Sequence, residues 1–104
     1  MPGEFTAADP LGNIVHLLPE VYFSEDKEMG IYDDVTMVIK RPAALIEVKE
    51  DDATEYYYYR SVGWNKALLV VSRFYNERWE AFRLIQNPSS EMMSGLLKKG
   101  KQVV

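Results

Sequence analysis

From Tyr56 to Gln86 the chain alternates apolar and aromatic runs with polar turn signals, and the spacing predicts three consecutive antiparallel strands. The runs are Tyr56–Arg60, Ala67–Tyr75 and Trp79–Ile85, separated by Val62-Gly63-Trp64-Asn65 and by Asn76-Glu77. β-Branched and aromatic side chains suit a pleated, half-buried surface, and the intervening clusters have hairpin spacing. Ahead of them Ala44–Lys49 alternates apolar and polar residues, with Ala44, Ile46 and Val48 on one face, and reads as a further strand.

Helical spacing precedes the strands. Ile31, Val35, Val38 and Ile39 recur on one helical face, with Asp33 and Asp34 at the start and Lys40-Arg41 at the end, as the helix dipole favours. Pro42 then forbids continuation. Pro19 suits the first position of an earlier helix, with Glu20 in its first turn, weakening across Ser24–Lys27 and stopping by Gly30. Asp9-Pro10-Leu11-Gly12-Asn13 is a turn signal. Ile14–Leu18 is a short apolar run with the character of an edge strand or the approach to a helix, and Met1–Ala8 reads as a loose leader. After the strands, Asn87-Pro88-Ser89-Ser90 is a break and cap, and Met93, Leu96 and Leu97 form a short amphipathic helix closed by Lys98, Lys99 and Gly100.

Segregated runs of this kind predict a single α+β domain over residues 1–104. N-terminal helices would pack on a four-stranded antiparallel sheet of Ala44–Lys49, Glu55–Val62, Ala67–Tyr75 and Arg78–Gln86, with a short C-terminal helix. The expected core is Val35, Val38, Ile39, Ile46, Val48, Val70, Phe82 and Leu84.

The hairpin loops set the register. With Asn76-Glu77 as a two-residue loop, Tyr75 faces Arg78, Arg73 faces Glu80 and Ser72 faces Ala81. One face then carries Leu69, Val71, Arg73, Tyr75, Glu80, Phe82 and Leu84, and the other carries Arg83 and Ile85. A four-residue loop over Val62–Asn65 sets Arg60 opposite Ala67 and brings Tyr58 and Arg60 onto the face of Arg73, Tyr75 and Glu80. Such a face is either an anion site or a cross-strand Arg73–Glu80 ion pair beside stacked aromatics.

Composition removes several classes of chemistry. There is no cysteine, which excludes disulfides, thiolate metal sites and thiol nucleophiles, and His16 is the sole histidine. No metal or redox cofactor is expected, since Glu25–Glu28 and Glu50–Asp52 lack the glycine and ligand spacing of a calcium loop. No apolar run approaches the roughly 20 residues that span a bilayer, and no secretory signal opens the chain, so a soluble cytoplasmic protein without membrane contact is expected. The net charge of −4 argues against indiscriminate nucleic-acid binding. Charge is nonetheless segregated, with acids concentrated in Glu20–Asp34 and Glu47–Glu55 and Arg60, Lys66, Arg73, Arg78 and Arg83 within the strand block.

The order of these pieces resembles the barnase–EndoU–colicin–RelE-like nuclease superfamily, in particular its phage-associated members. The residues that carry the likeness are Asp9–Asn13 leading to Val15 and Leu17, a helix ending in Arg41-Pro42 before a strand, Tyr58-Tyr59-Arg60, Leu68–Val71, and Glu80-Ala81-Phe82. The resemblance implies metal-independent cleavage of RNA by the 2′-hydroxyl, with Arg60 and Arg73 as a phosphate clamp and Tyr58 or Tyr75 as proton donor or base-stacking platform. The chain departs from the pattern at two places. Val21–Met29 carries no histidine, and Glu80 stands where the family has a hydroxyl residue.

Three readings follow. One is a ribonuclease-like domain of toxin or phage type, active or degenerate, with RNA as partner. The second is a non-catalytic interaction module (an antitoxin, immunity or accessory protein of a mobile element) whose acidic surface meets a basic protein. The third is a pocket for a small anionic ligand on the same sheet. Met92, Met93, Leu96 and Leu97, with Val103-Val104, also predict a homodimer.

Overall fold

The computed structural model describes residues 5–22 and 31–104. The elements run β1 (Phe5–Ala8), β2 (Ile14–Leu17), α1 (Pro19–Tyr22), α2 (Ile31–Lys40), β3 (Ala44–Glu50), β4 (Ala53–Gly63), β5 (Lys66–Tyr75), β6 (Arg78–Gln86), α3 (Ser90–Lys99) and β7 (Lys101–Gln102). The strands form one seven-stranded sheet in the order β1-β2-β6-β5-β4-β3-β7. Every neighbouring pair is antiparallel except β2 and β6, which run parallel.

This overturns the expected four-stranded antiparallel sheet beneath N-terminal helices. Two strands precede the helices, and a last short one follows α3. The physical reason is edge pairing. A bare β6 edge would leave a row of unpaired backbone groups, and the β1–β2 hairpin covers it. The β2 strand lies alongside β6 in parallel because α1 and α2 intervene between β2 and the rest of the sheet, as a parallel pairing requires. Phe5–Ala8, expected within a loose leader, is a sheet strand paired with β2. Expectations for Met1–Glu4 and for the helix across Ser24–Gly30 lie outside the described residues.

Helices cover both faces. On one, α1 and α2 pack Val21, Val35, Val38 and Ile39 against Val15, Leu17, Leu45, Tyr58, Leu68, Val70 and Ala81, forming the larger core. The i, i+3, i+4 spacing of Val35, Val38 and Ile39 puts all three at 0% exposure, each worth about 1.5–3 kcal/mol of burial. The α2 helix stops where Pro42 requires, with the Arg41 N–H donating to Met37 O at 2.8 Å. On the other face, α3 seats Leu96 against Ile46, Val48 and Leu69 in a smaller core. Ser89 caps α3 by accepting from the Met92 N–H at 3.1 Å, and Gly100 donates to Leu96 O at 2.8 Å. Met92 and Leu97 stay exposed.

Gly100 is where α3 turns back so that β7 can pair with β3. A Cβ there would lie 2.8 Å from Glu47 O, Ile46 Cγ2 and Val48 Cγ2. Gly100→Ala is therefore expected to cost about 1–3 kcal/mol, as overpacking does, measured by urea unfolding. An unchanged midpoint would show that α3 does not dock this closely.

The β1–β2 loop explains Asp9-Pro10-Leu11-Gly12-Asn13. Asp9 Oδ1 accepts from the Leu11 N–H (3.0 Å) and the Asn13 N–H (2.8 Å), and Oδ2 accepts from Asn13 Nδ2 (3.1 Å) and the Tyr58 hydroxyl (2.8 Å). Gly12 supplies the positive φ of 91° that the turn needs. One buried carboxylate thus fastens the N-terminal hairpin to β4 in the middle of the sheet.

Candidate functional site

The β5–β6 hairpin positions the site. Asn76 and Glu77 both adopt left-handed backbone, with φ 56° and 67°, as a two-residue loop of the twisted kind demands. Tyr75 lies opposite Arg78, Arg73 opposite Glu80 and Ser72 opposite Ala81, the register that the loop length predicts.

A bulge then changes the faces. Ser72 pairs with Ala81 but Val71 pairs with Arg83, so Phe82 is an extra residue in β6. Beyond it, Leu84 turns to the α1–α2 core and Ile85 to the α3 core, the reverse of the simple alternation. Phe82 and Arg83 come out side by side on the α3 face.

The β4–β5 loop differs as well. Gly63 pairs with Lys66, which leaves Trp64-Asn65 as the loop, and an irregularity between Ser61 and Gly63 sets Arg60 opposite Leu68 rather than Ala67. That single-residue slip moves Tyr56, Tyr58 and Arg60 to the α1–α2 face. Tyr58 is fully buried and donates to Asp9. Arg60 Nη1 donates to the Arg41 carbonyl at 2.8 Å, at the end of α2. Arg60 and Tyr58 therefore lie across the sheet from Arg73, Tyr75 and Glu80, so Arg60 and Arg73 do not form one clamp.

Arg73, Tyr75 and Glu80 do share the α3 face. Glu80 Oε2 accepts from Arg78 Nε at 3.0 Å, so Glu80 is engaged by its neighbour two residues back rather than by Arg73 across the strand. Arg73 instead lies over two rings, its guanidinium carbon 4.5 Å from the Phe82 centroid and 5.2 Å from that of Tyr75. Among the described residues no carboxylate pairs with Arg73 or Arg83, and both are exposed. They are diagonal neighbours, two residues (about 7 Å) apart along the strand direction. His16 of β2 is the register partner of Glu80. The second acid on this face, Glu55, accepts from the Tyr57 hydroxyl at 2.7 Å.

The face thus carries Arg73 resting on two rings, Arg83 diagonal to it, Glu80 paired with Arg78, and Glu55 opposite Arg73 accepting from Tyr57. A guanidinium stacked on aromatics keeps its edge donors available, and forks them onto phosphate or carboxylate oxygens. The register read from the loop already put Phe82 on the face of Arg73, but the bulge hid Arg83, which that register sent to the opposite face. His16, among Val15, Leu17 and Leu18, reads in the sequence as a structural residue, because a four-residue strand gives no sign of its pairing with β6.

A second surface lies on the opposite face. Tyr56 and Trp79 meet over the small Ser72 with centroids 4.6 Å apart and planes at 27°, and Phe74 stands edge-on to Trp79 at 5.3 Å. The Tyr56 hydroxyl donates to Glu47 Oε2 at 3.0 Å, and Asp52 and Thr54 complete a groove of about 410 Å³. Lys49 also lines it, its ammonium 3.9 Å from Glu47.

Three adjacent tyrosines hold their protons unusually well. Burial, then the Glu47 carboxylate, pushes the Tyr56 hydroxyl up to about 12. Burial and Glu55 raise Tyr57. Burial raises Tyr58, with the Ser72 hydrogen bond opposing and Asp9 adding to the rise. In the unfolded chain tyrosines ionise near 10. These groups therefore contribute stability that is complete below about pH 10 and is lost as pH rises towards the folded values. Unfolding midpoints are expected to fall steadily above about pH 10, and phenolate absorbance in the folded protein should lag that of a denatured sample. Coincident titration of folded and denatured protein would contradict this.

Among the described residues no group of three His, Asp or Glu is placed to hold a metal ion, and no helix is long and apolar enough to cross a membrane. Comparison with protein-family models, curated proteins and solved structures finds no match to this chain.

Proposed function

We propose that the chain is a ribonuclease-like domain that binds single-stranded RNA on the α3 face of its sheet. The observation that carries this reading is Arg73, exposed, stacked on Phe82 and Tyr75, and without a carboxylate partner among the described residues. Arg73 and Arg83 take successive phosphates, and the exposed Tyr75 offers a ring on which a base stacks. The overall charge of −4 argues against indiscriminate binding, so the reading rests on the local placement of these two arginines. Glu80 is paired with Arg78, Glu55 opposite Arg73 accepts from the Tyr57 hydroxyl, and the Glu50-Asp51-Asp52 run sits at the β3–β4 turn.

Cleavage needs an acid and a base besides the phosphate clamp. On this face those groups are Glu80, held by Arg78, and His16 beside it. In metal-independent cleavage the 2′-oxygen attacks phosphorus while Glu80 accepts the hydroxyl proton. The 5′-oxygen then leaves with a proton from His16, and the arginines hold the charge that develops on the phosphate oxygens. Glu80 has only 11% of its side chain accessible, so turnover is expected to be slow. Mixed-sequence RNA incubated with the protein in EDTA tests both steps. Retarded mobility in a low-salt gel, with 2′,3′-cyclic ends that disappear in Glu80→Gln, is the expected result. Binding without such ends would leave a degenerate nuclease, and neither binding nor ends would reject the reading.

The groove of Tyr56, Phe74 and Trp79 favours a second reading, an interaction module. Rings flanked by Glu47 and Asp52 suit the guanidinium or ammonium of a basic segment. An arginine-rich peptide should bind there more tightly to Lys49→Ala, where the competing ammonium is gone, and not at all to Phe74→Ala with Glu47→Gln. Equal affinity across these variants would remove it.

A further inference from the structure

Between α3 and the sheet lies a cleft of about 290 Å³, close to the lower end of small-molecule pockets. Its floor is apolar, formed by Ile85 and the buried Leu96, and Met92 flanks it from α3. Its rim is polar, with Tyr57 and Arg83 on the sheet side. Lys99 closes the remaining rim from the last turn of α3. The helix wall is indented at Gly95, where a Cβ would meet no atom within 4 Å.

We propose that this cleft seats one nucleobase of the bound RNA strand, an inference that rests on the RNA-binding reading above. Arg83 belongs to both features, lining the cleft while it neighbours Arg73 across the strands. A strand whose phosphates lie on Arg73 and Arg83 therefore has the cleft within one nucleotide's reach. A base is flat and apolar on its faces and is attached to an anion, and the cleft offers an apolar floor beneath two cations. Lys99 meets Glu50 at 3.7 Å, but both side chains are more than half exposed, so this pair holds weakly and the ammonium is free to turn towards a phosphate. The thioether of Met92 adapts to differently shaped rings, which predicts tolerance of base identity. Phosphates fix the strand's position, and the cleft supplies what a polyanion lacks.

Gly95→Leu fills the cleft from the helix side, and Met92→Trp fills it from an exposed position one turn earlier. Glycine is the poorer helix former by about 1 kcal/mol, so Gly95→Leu should fold at least as well as the native chain. The experiment compares binding of an RNA decamer and of inorganic polyphosphate of similar charge to native protein and to each variant that retains the native melting temperature. Filling the cleft is expected to weaken RNA binding about tenfold and leave polyphosphate binding unchanged. Arg73→Ala should weaken both ligands. Native RNA affinity in either folded variant overturns the base seat while leaving the RNA reading intact. Native protein that binds neither ligand overturns the RNA reading itself.

Discussion

Asp9→Ala is expected to destabilise the domain by on the order of 3–5 kcal/mol, a large part of what a chain of this size holds. The substitution leaves the Tyr58 hydroxyl and two loop N–H groups without their acceptor, and the hydroxyl is sealed in the core. Hydrogen bonds to a charged group are worth about 1.5–3 kcal/mol each, and unmet buried donors cost more than the bond itself returns. Tyr58→Phe removes the partner from the other side and should cost less, about 1–3 kcal/mol, because Asp9 keeps its loop donors. Since both changes break one shared bond, the double variant should be more stable than the two single losses added together. Urea unfolding of the four proteins measures this. Additive losses would mean that Asp9 and Tyr58 act independently and that the hairpin is not fastened to β4 through them.

The second large effect concerns the open face. Arg73→Ala and Arg83→Ala are each expected to weaken binding of single-stranded RNA about tenfold and to reduce the slope of log affinity against log salt by about 0.7. Arg60→Ala, on the far face and bonded to the Arg41 carbonyl, should leave RNA affinity unchanged and cost a little stability at the end of α2. Arg73→Lys tests the fork: charge is kept, but the planar guanidinium that lies over Phe82 and Tyr75 is lost, and affinity should fall nearly as far as with alanine. Equal losses for Arg60→Ala and Arg73→Ala would point to diffuse charge rather than a built face.

Much of this was readable in the residues. The four central strands and α2 announce themselves through period, caps and Pro42. Asn76-Glu77 set the β5–β6 register, because a two-residue loop has few geometries. The site was less readable, for a local reason in each case. The extra residue Phe82 leaves no mark in composition, yet it reverses every side chain beyond it and brings Arg83 onto the face of Arg73. At the β4–β5 turn, Gly63 pairs with Lys66 and Asn65 takes the left-handed backbone, so the loop is two residues rather than four, and the slip sends Tyr58 and Arg60 across the sheet. The β1 and β2 strands are four residues each, too short to show alternation, so both their sheet membership and the pairing of His16 with Glu80 depend on a distant edge of β6. Asp9 reads locally as a turn former, and nothing near it in the sequence points to Tyr58.

RNA is expected to meet the α3 face of the sheet and not the other. Backbone amide shifts of isotopically labelled protein, followed while a single-stranded RNA decamer is added in EDTA at low salt, show which face it touches. Shifts are expected to saturate at Arg73, Tyr75, Phe82, Arg83 and Gly95, with Glu47, Arg60 and Lys66 unmoved. Shifts centred on Arg60 and the α2 end, or none at any residue, would contradict it.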